Sequence, residues 1–384
     1  VKIVFDCRYT RIGRHDGISR YTAGLVTALA EIHPVTMLIS DRRQLEMLPD
    51  LPYALASSPT SPRELFVARQ VNRLEPDVVF TPMQTMGTMG RKYPLALTVH
   101  DLIYYSNPTP PREFAWPLRL LWRLYHTAWW PQRLLLNRAD AVVTVSHTTR
   151  ALVEQHHLTS KPIVVVSNAA DVLTAGSATT AAAAADAAAA PGAPAPAPPT
   201  DSGPAARAAA RSLLYMGSFM PYKNVETLVA AMPHLPGYTL HLLSKVRRAD
   251  RERLQALAPD ARLEFHDGVS DAEYLALIDS ATALVTASLE EGFGIPLVES
   301  MGRSTPVVVS DIPVFREIGG DAALYFDARD PVAFADAVKR LEDPKEWFRR
   351  SLASAEQAET FSWASSATEL LALLEGLAGS RAPR

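Results

Sequence analysis

Two series of short apolar runs, each alternating with longer amphipathic stretches, constrain this chain more than any other feature. The first series comprises residues 2–6, 35–40, 77–81, 95–99, 141–145 and 162–166, and the second 212–216, 238–243, 262–265, 283–286, 306–309 and 323–326. Most of these runs are dominated by Val, Ile, Leu and Ala with little polar alternation, as strands covered on both faces require. Helical stretches such as 18–31, 225–232, 271–279 and 331–341 separate most of them. The pattern predicts an α/β chain with two Rossmann-like domains, each a parallel sheet wrapped by helices. In such sheets ligands bind beyond the carboxyl ends of strands, so the loops that follow strands are where chemistry is expected.

Between the two series lies a break in composition. Residues 174–210 hold 19 Ala and six Pro among 37 residues, with charge only at Asp186, Asp201 and Arg207. The prolines forbid one continuous helix and nothing bulky is available to bury, so the stretch reads as a flexible linker or insert, with room for a helical turn in 181–190. The expected organisation is a first domain over 1–171, the insert over 172–211, a second domain over 212–360 and a C-terminal segment over 361–384. Cys7 is the only cysteine, which excludes an internal disulfide and a cysteine-built metal site. No run of about 18 or more strongly apolar residues occurs, and the opening VKIVFD reads as a strand rather than a signal peptide, so a cytoplasmic protein is expected. Residues 1–171 carry 19 basic against 14 acidic side chains and the remainder 19 against 27, a basic front half that suits an anionic partner or is ordinary variation. An isoelectric point near 6.4 and the lack of a basic-aromatic motif outside 111–138 argue against nucleic-acid binding.

Four post-strand loops carry candidate residues. The first, Cys7–Gly17, has Gly13 and Gly17 ahead of a helix whose free amides suit a phosphate, although a plain tight turn explains it too. In Thr98-Val99-His100-Asp101 a histidine follows a strand end, where it is either structural or catalytic. The loop Met216–Asn224 contains Gly217, Ser218 and Lys223. A cation at a helix start opposes the macrodipole unless an anionic ligand lies between them; the alternative is a solvated lysine. The fourth, EEGFGIPLVES over 290–300, is the most informative. Gly292 and Gly294 allow close backbone approach, Pro296 suits a first helical turn, and Glu291 on the loop with Glu299 one turn inside the helix can line one cleft. Carboxylates that grip hydroxyls beside a phosphate-friendly helix end suggest a nucleotide sugar.

These motifs resemble those of the family 4 glycosyltransferases, retaining enzymes of the GT-B fold, in which two Rossmann-like domains face each other across a cleft. The most specific is the E-x7-E pair Glu291 and Glu299; SDIPVFREIGGDAALYFD at 310–327, TVHDL at 98–102, VTVSHTTR at 143–150 and GISRYTAGL at 17–25 support it. The resemblance implies that Glu291 holds donor-sugar hydroxyls, Glu299 the ribose hydroxyls and Lys223 the diphosphate. Gly17 would approach the diphosphate from the first domain, and His100 would orient the transferred sugar or the acceptor. Gly217, Ser218, Gly292, Phe293, Gly294 and Ile295 complete the implied donor site. A helix near Trp363–Leu377 would cross back to the first domain. The chain departs from the family where an arginine normally joins the lysine: those positions are Ser218 and Tyr222, so Lys245, Arg247 or an arginine of the first domain must assist. Departures also occur at Asn168-Ala169-Ala170-Asp171, which lacks the usual glycine, and at Leu243-Ser244-Lys245.

The implied reaction is retaining, metal-independent transfer of a hexose, mannose favoured and so GDP-mannose as donor substrate, without further cofactor. The implied acceptor is a glycan, glycolipid or lipid-linked species. Residues 111–138 hold four of the six tryptophans, and Leu118, Leu121, Trp122, Tyr125 and Trp129 recur at helical spacing. That stripe is expected to pack on its own domain; the competing reading is a peripheral contact with an anionic membrane. Two other functions share the fold: a non-catalytic binder of sugar nucleotides and a glycan phosphorylase. A nicotinamide-dependent dehydrogenase is disfavoured because its glycine fingerprint is missing.

Overall fold

The computed structural model describes residues 1–13, 16–110, 116–170 and 204–380. Seven strands form the first sheet: β1 (Ile3–Asp6), β2 (Val35–Ile39), β3 (Tyr53–Leu55), β4 (Val78–Thr81), β5 (Leu95–Val99), β6 (Ala141–Thr144) and β7 (Ile163–Val165), in the order β3-β2-β1-β4-β5-β6-β7. Six form the second: β8 (Ser212–Tyr215), β9 (Thr239–Leu242), β10 (Arg262–Phe265), β11 (Ala283–Thr286), β12 (Val307–Ser310) and β13 (Leu324–Phe326), in the order β10-β9-β8-β11-β12-β13. Every neighbouring pair is parallel. Two Rossmann-like sheets covered by helices are the GT-B architecture expected from the sequence. The central strands β1, β4, β5, β6, β11 and β12 are buried along their whole length, which is why they read as unbroken apolar runs. Strand β3 was not expected. It is three residues at a sheet edge with both end side chains exposed, so it carries no apolar signature.

Helix Gly17–Ile32 buries Tyr21, Leu25, Val26 and Leu29, the i, i+4, i+5, i+8 stripe that its sequence predicts. Against it lies the last helix, Trp363–Gly379, capped by the Ser362 hydroxyl on the Ser365 amide. Ala367, Leu370 and Leu374 of this helix are fully buried in the same apolar cluster as Tyr21 and Leu25. Ser366 donates to the carbonyl of Ser167 at 2.8 Å. The chain therefore leaves the first sheet, builds the second, and returns.

Two expectations need correction. Residues 204–209, assigned from sequence to the flexible insert, form a helix. Its anchor is Arg207, whose guanidinium reaches the Ile278 carbonyl at 3.1 Å and the Thr305 hydroxyl and lies over the Trp347 ring. Residues 171–203, which include Asp171 and the 181–190 stretch, lie outside the described residues. The aromatic stripe of 111–138 also splits, with 111–115 outside the described residues. Helix Trp116–Tyr125 has no buried residue: Leu118 and Leu121 point outward with Leu120 and Leu124, while Trp122 and Tyr125 are half-buried. Trp122 packs edge-on to Tyr104 and Trp129 stacks on Tyr105 at 3.8 Å. No helix among the described residues is long and apolar enough to cross a membrane.

The contact between the first and last helices is tight enough to test. A Cβ at Gly24 would lie 2.3 Å from the Trp363 indole. Overpacking of this kind costs about 1–3 kcal/mol, against about 0.5–1 kcal/mol that alanine gains over glycine within a helix. Gly24→Ala is expected to lower the thermal midpoint by several degrees, and Gly24→Ala combined with Trp363→Leu to recover part of that loss.

Candidate active site

Loops from the carboxyl ends of both sheets meet in one cleft. After β11 the chain turns through Ser288–Gly294 into helix Ile295–Gly302. Gly294 caps that helix at φ 97, a left-handed conformation that the glycine supplies without strain, and Pro296 fits its first turn. Gly292 is pressed against the first domain: a Cβ there would stand 2.1 Å from the main-chain oxygen of His100, and the Gly292 carbonyl accepts from the Ser146 hydroxyl at 2.8 Å. Nearby, Gly17 faces Ile295, with 3.6 Å between a Cβ at Gly17 and the Ile295 Cδ1. The amino ends of the two helices are thus brought face to face.

Glu291 accepts the Ser288 hydroxyl at 2.8 Å and the Lys223 ammonium at 2.5 Å, both on Oε1, which leaves Oε2 for a hydroxyl. Lys223 ends the short turn Pro221–Lys223. Asn224, left-handed at φ 51, then fixes the turn by donating to the carbonyls of Ala287 and Ala328. The anion that Lys223 meets is therefore Glu291, rather than only the ligand inferred from the sequence, and the solvated-lysine alternative does not hold: its side chain is 17% exposed.

Glu299 is buried inside the helix. Its Oε2 accepts the Tyr274 hydroxyl at 2.8 Å and its Oε1 accepts Arg20 Nη1 at 3.0 Å, while Arg20 Nη2 reaches Asp271 at 2.7 Å. Burial, reinforced by the Glu299 charge, pushes the Tyr274 phenol well above its ordinary value, so it stays a donor. Arg20 belongs to the first turn of helix Gly17–Ile32, which Asp16 caps by accepting the Ser19 amide at 2.9 Å. The amino end of that helix, expected to offer bare amides through Gly17, thus already carries a carboxylate.

On the first-domain side, His100 donates from Nε2 to the Pro82 carbonyl at 2.7 Å and meets the Tyr21 ring edge-on. Burial holds the imidazole below its ordinary pKa, so it is neutral near pH 7. With the proton on Nε2, Nδ1 is an acceptor. Asp101 has its carboxyl raised by burial and then by the Glu291 charge. His100, Asp101, Ile18, Gln84, Tyr104 and Tyr105 help line a cavity of about 210 Å³. Two further bridges cross the cleft: Asn107 donates to Glu290 at 2.6 Å, and Glu317 accepts the amides of His147 and Thr148 at 2.7 and 2.8 Å.

Lys223 with Glu291, Gly292 with His100 and Gly17 with Ile295 are thus brought together. Gly217 and Ser218 follow β8, where the Ser218 carbonyl accepts the Tyr215 hydroxyl at 2.7 Å. Phe293 is buried edge-on to Phe361, so its ring belongs to the core and only its main chain can meet a ligand. Arg247 is engaged by Asp250, whereas Arg20 enters the cleft. Sequence reasoning did not single out Arg20, Asp101, Tyr274, Asn107 or Glu317. Arg20, Asp101 and Glu317 lay within the motifs at 17–25, 98–102 and 310–327. Tyr274 follows a Ser270/Glu273 capping box that marks the helix start but not its inward-facing hydroxyl.

Comparison with known proteins supplies the context. The family described as Glycosyltransferase Family 4 matches residues 15–172, and the family described as Glycosyl transferases group 1 matches residues 210–343. The chain is similar to the O-antigen chain mannosyltransferase RfbU of Salmonella typhimurium, 25% identical over 349 residues that cover 87% of this chain and 89% of the relative. Over 147 residues it is 33% identical to the serotype-specific mannosyltransferase WbdA of Escherichia coli, covering 36% of this chain and 18% of that protein. Among solved structures, sucrose-phosphate synthase from Thermosynechococcus elongatus superposes with a TM-score of 0.70 at 21% identity, over 99% of both chains. HepE of Anabaena, in complex with UDP and glucose, gives 0.67 at 16% identity, over 98% of this chain and all of the other. These structural likenesses establish the fold.

Buried neutral histidine has a consequence for pH. Below about pH 6.5 the unfolded chain binds protons that native His100 refuses, down to its lowered folded value. Stability must then fall on acidification by up to about 1.4 kcal/mol per pH unit for this one group. His126 and His241, also lowered by burial, act in the same direction, while Asp101 acts oppositely in the acid range, where its raised carboxyl takes up a proton before the unfolded chain does. Denaturant titrations at about pH 7 and pH 5.5 are expected to show this loss, and His100→Gln to reduce it by about one proton's worth of slope.

Proposed function

We propose that this chain, a glycosyltransferase similar to those of family 4, is a retaining mannosyltransferase that moves mannose from GDP-mannose to a glycan or lipid-linked acceptor. The observation that carries the proposal is the pairing of each E-x7-E carboxylate with a cation in one cleft: Glu291 with Lys223 and Glu299 with Arg20. Glu291 keeps Oε2 for a hydroxyl of the sugar, and the E-x7-E resemblance assigns Glu299 to the ribose. Lys223 has two further N–H groups to give a diphosphate, and Arg20 is the first-domain arginine that stands closest to the role of the missing family arginine.

In the transfer we favour, the bond from the anomeric carbon to the diphosphate breaks as the acceptor oxygen attacks from the same face. The acceptor proton passes to a diphosphate oxygen. The protein's part is electrostatic: charge growing on the diphosphate is met by Lys223 and by the amino end of helix Ile295–Gly302. His100, with Nδ1 as an acceptor, suits a hydroxyl of the transferred sugar or of the acceptor. Mannose is favoured because the relatives named above over most of the chain and over part of it are both mannosyltransferases.

The exposed ridge of Trp116, Leu120, Leu121 and Leu124, with Arg123 exposed beside it, supports peripheral attachment to an anionic membrane carrying the acceptor. It adjoins the cavity at His100 through Tyr104, which contacts Trp122.

Three outcomes are expected. In a thermal-shift panel of GDP-, UDP-, ADP- and dTDP-sugars, GDP-mannose should raise the midpoint most; a flat panel would favour a non-catalytic reading, and phosphate-dependent sugar release a phosphorylase. Lys223→Ala and Glu291→Gln should each lower kcat by about 100-fold or more while the far-ultraviolet spectrum is unchanged. Flotation with anionic liposomes should carry the protein upward, and Leu121→Glu with Leu124→Glu should abolish this without lowering turnover on a soluble acceptor analogue.

A further inference from the structure

We infer that His241, Glu264 and His266, on the far edge of the second sheet, form a binding site for a divalent transition-metal ion of the zinc class. Parallel register makes the cluster. Glu264 of β10 is the cross-strand partner of His241 of β9, and His266 follows Glu264 by two residues, which returns its side chain to the same face. The His266 amide bonds to the Leu242 carbonyl at 3.0 Å, continuing the ladder to that residue.

The distances match a coordination sphere. His241 Nδ1 lies 3.1 Å from His266 Nε2 and 3.1 Å from Glu264 Oε2, and one ligand atom from each residue falls within 4.8 Å of the other two. With zinc–nitrogen and zinc–oxygen bonds of about 2.0–2.1 Å, the edges of a tetrahedron are about 3.3 Å; both edges from His241 lie within tenths of an ångström of that, and the third pair, within 4.8 Å, closes by rotation of the exposed Glu264 side chain. Two imidazoles and a carboxylate are a donor set suited to zinc, cobalt or nickel rather than to magnesium or calcium, with water as fourth ligand. Glu264 is exposed and His241 half-buried, which gives an ion a path from solvent. The sequence shows no ligand spacing here, since His241 is separated from the other two by a helix, and the expectation of metal-independent transfer does not foresee this grouping.

The site has a structural part to play. Strand β10 is an edge strand without a fully buried residue, and the loop that follows it passes through Asp267, at φ 54, to the helix that carries Asp271 and Tyr274. An ion held by both strands would clip that edge and steady the approach to the Arg20 and Glu299 contacts. Transfer chemistry is not routed through it.

The test uses tag-free full chain, stripped with EDTA and titrated with Co²⁺ alone. One equivalent is expected to bind saturably with the visible absorption of a four-coordinate site, to be displaced by Zn²⁺, and Zn²⁺ in excess to raise the thermal midpoint by about 5 °C. His266→Gln and the surface change Glu264→Gln should each weaken Co²⁺ by roughly tenfold or more. No saturable one-to-one site, or binding unchanged in both variants, overturns the inference, because the three side chains would then form only a hydrogen-bonded cluster. Glu264→Gln lies at an exposed position, so the test survives if His266→Gln does not fold.

Discussion

A buried carboxylate needs a counter-charge, and in this protein the counter-charge to Glu299 comes from the other domain. Stranding an ionised carboxylate away from water costs several kcal/mol. Glu299 is 7% exposed and is satisfied by Tyr274 from its own domain and Arg20 from the first. The ion pair therefore couples the chemistry of the cleft to the relative position of the sheets. Gly292 against the His100 carbonyl, Asn107 on Glu290 and Glu317 on two amides reinforce the same closure.

A second consequence concerns charge. Lys223 with Glu291 and Arg20 with Glu299 neutralise the cleft pairwise, which keeps four ionised side chains at close quarters without large repulsion. Asp101 bears the residual cost, its carboxyl raised first by burial and then by the Glu291 charge. Adding a dianionic group there is easiest where a cation can turn towards it without abandoning its partner. An ammonium with three hydrogens and a guanidinium with five are suited to that.

The fold was largely legible because its strands are buried on both faces and so announce themselves as apolar runs; β3, short and exposed, was silent. Glu291 and Glu299 were legible because a motif fixes them within nine residues. Their cations were only half so. Lys223 was visible as a basic residue in the wrong place for a helix dipole, but Arg20 is 279 residues from the carboxylate that it holds. Strand register, which no local pattern reveals, unites His241 with Glu264 and His266. The stripe at 118–129 misled for a different reason. Spacing identifies an apolar face, but it does not say whether the protein itself covers that face.

The return of the last helix has a mechanical meaning. The polypeptide passes between the two halves twice, once after β7 and once before Trp363, and the Ser366–Ser167 bond sets the second passage beside the first. Packed on the first domain, the last helix moves with it, so any opening of the cleft has to be taken up in the few residues ahead of Trp363.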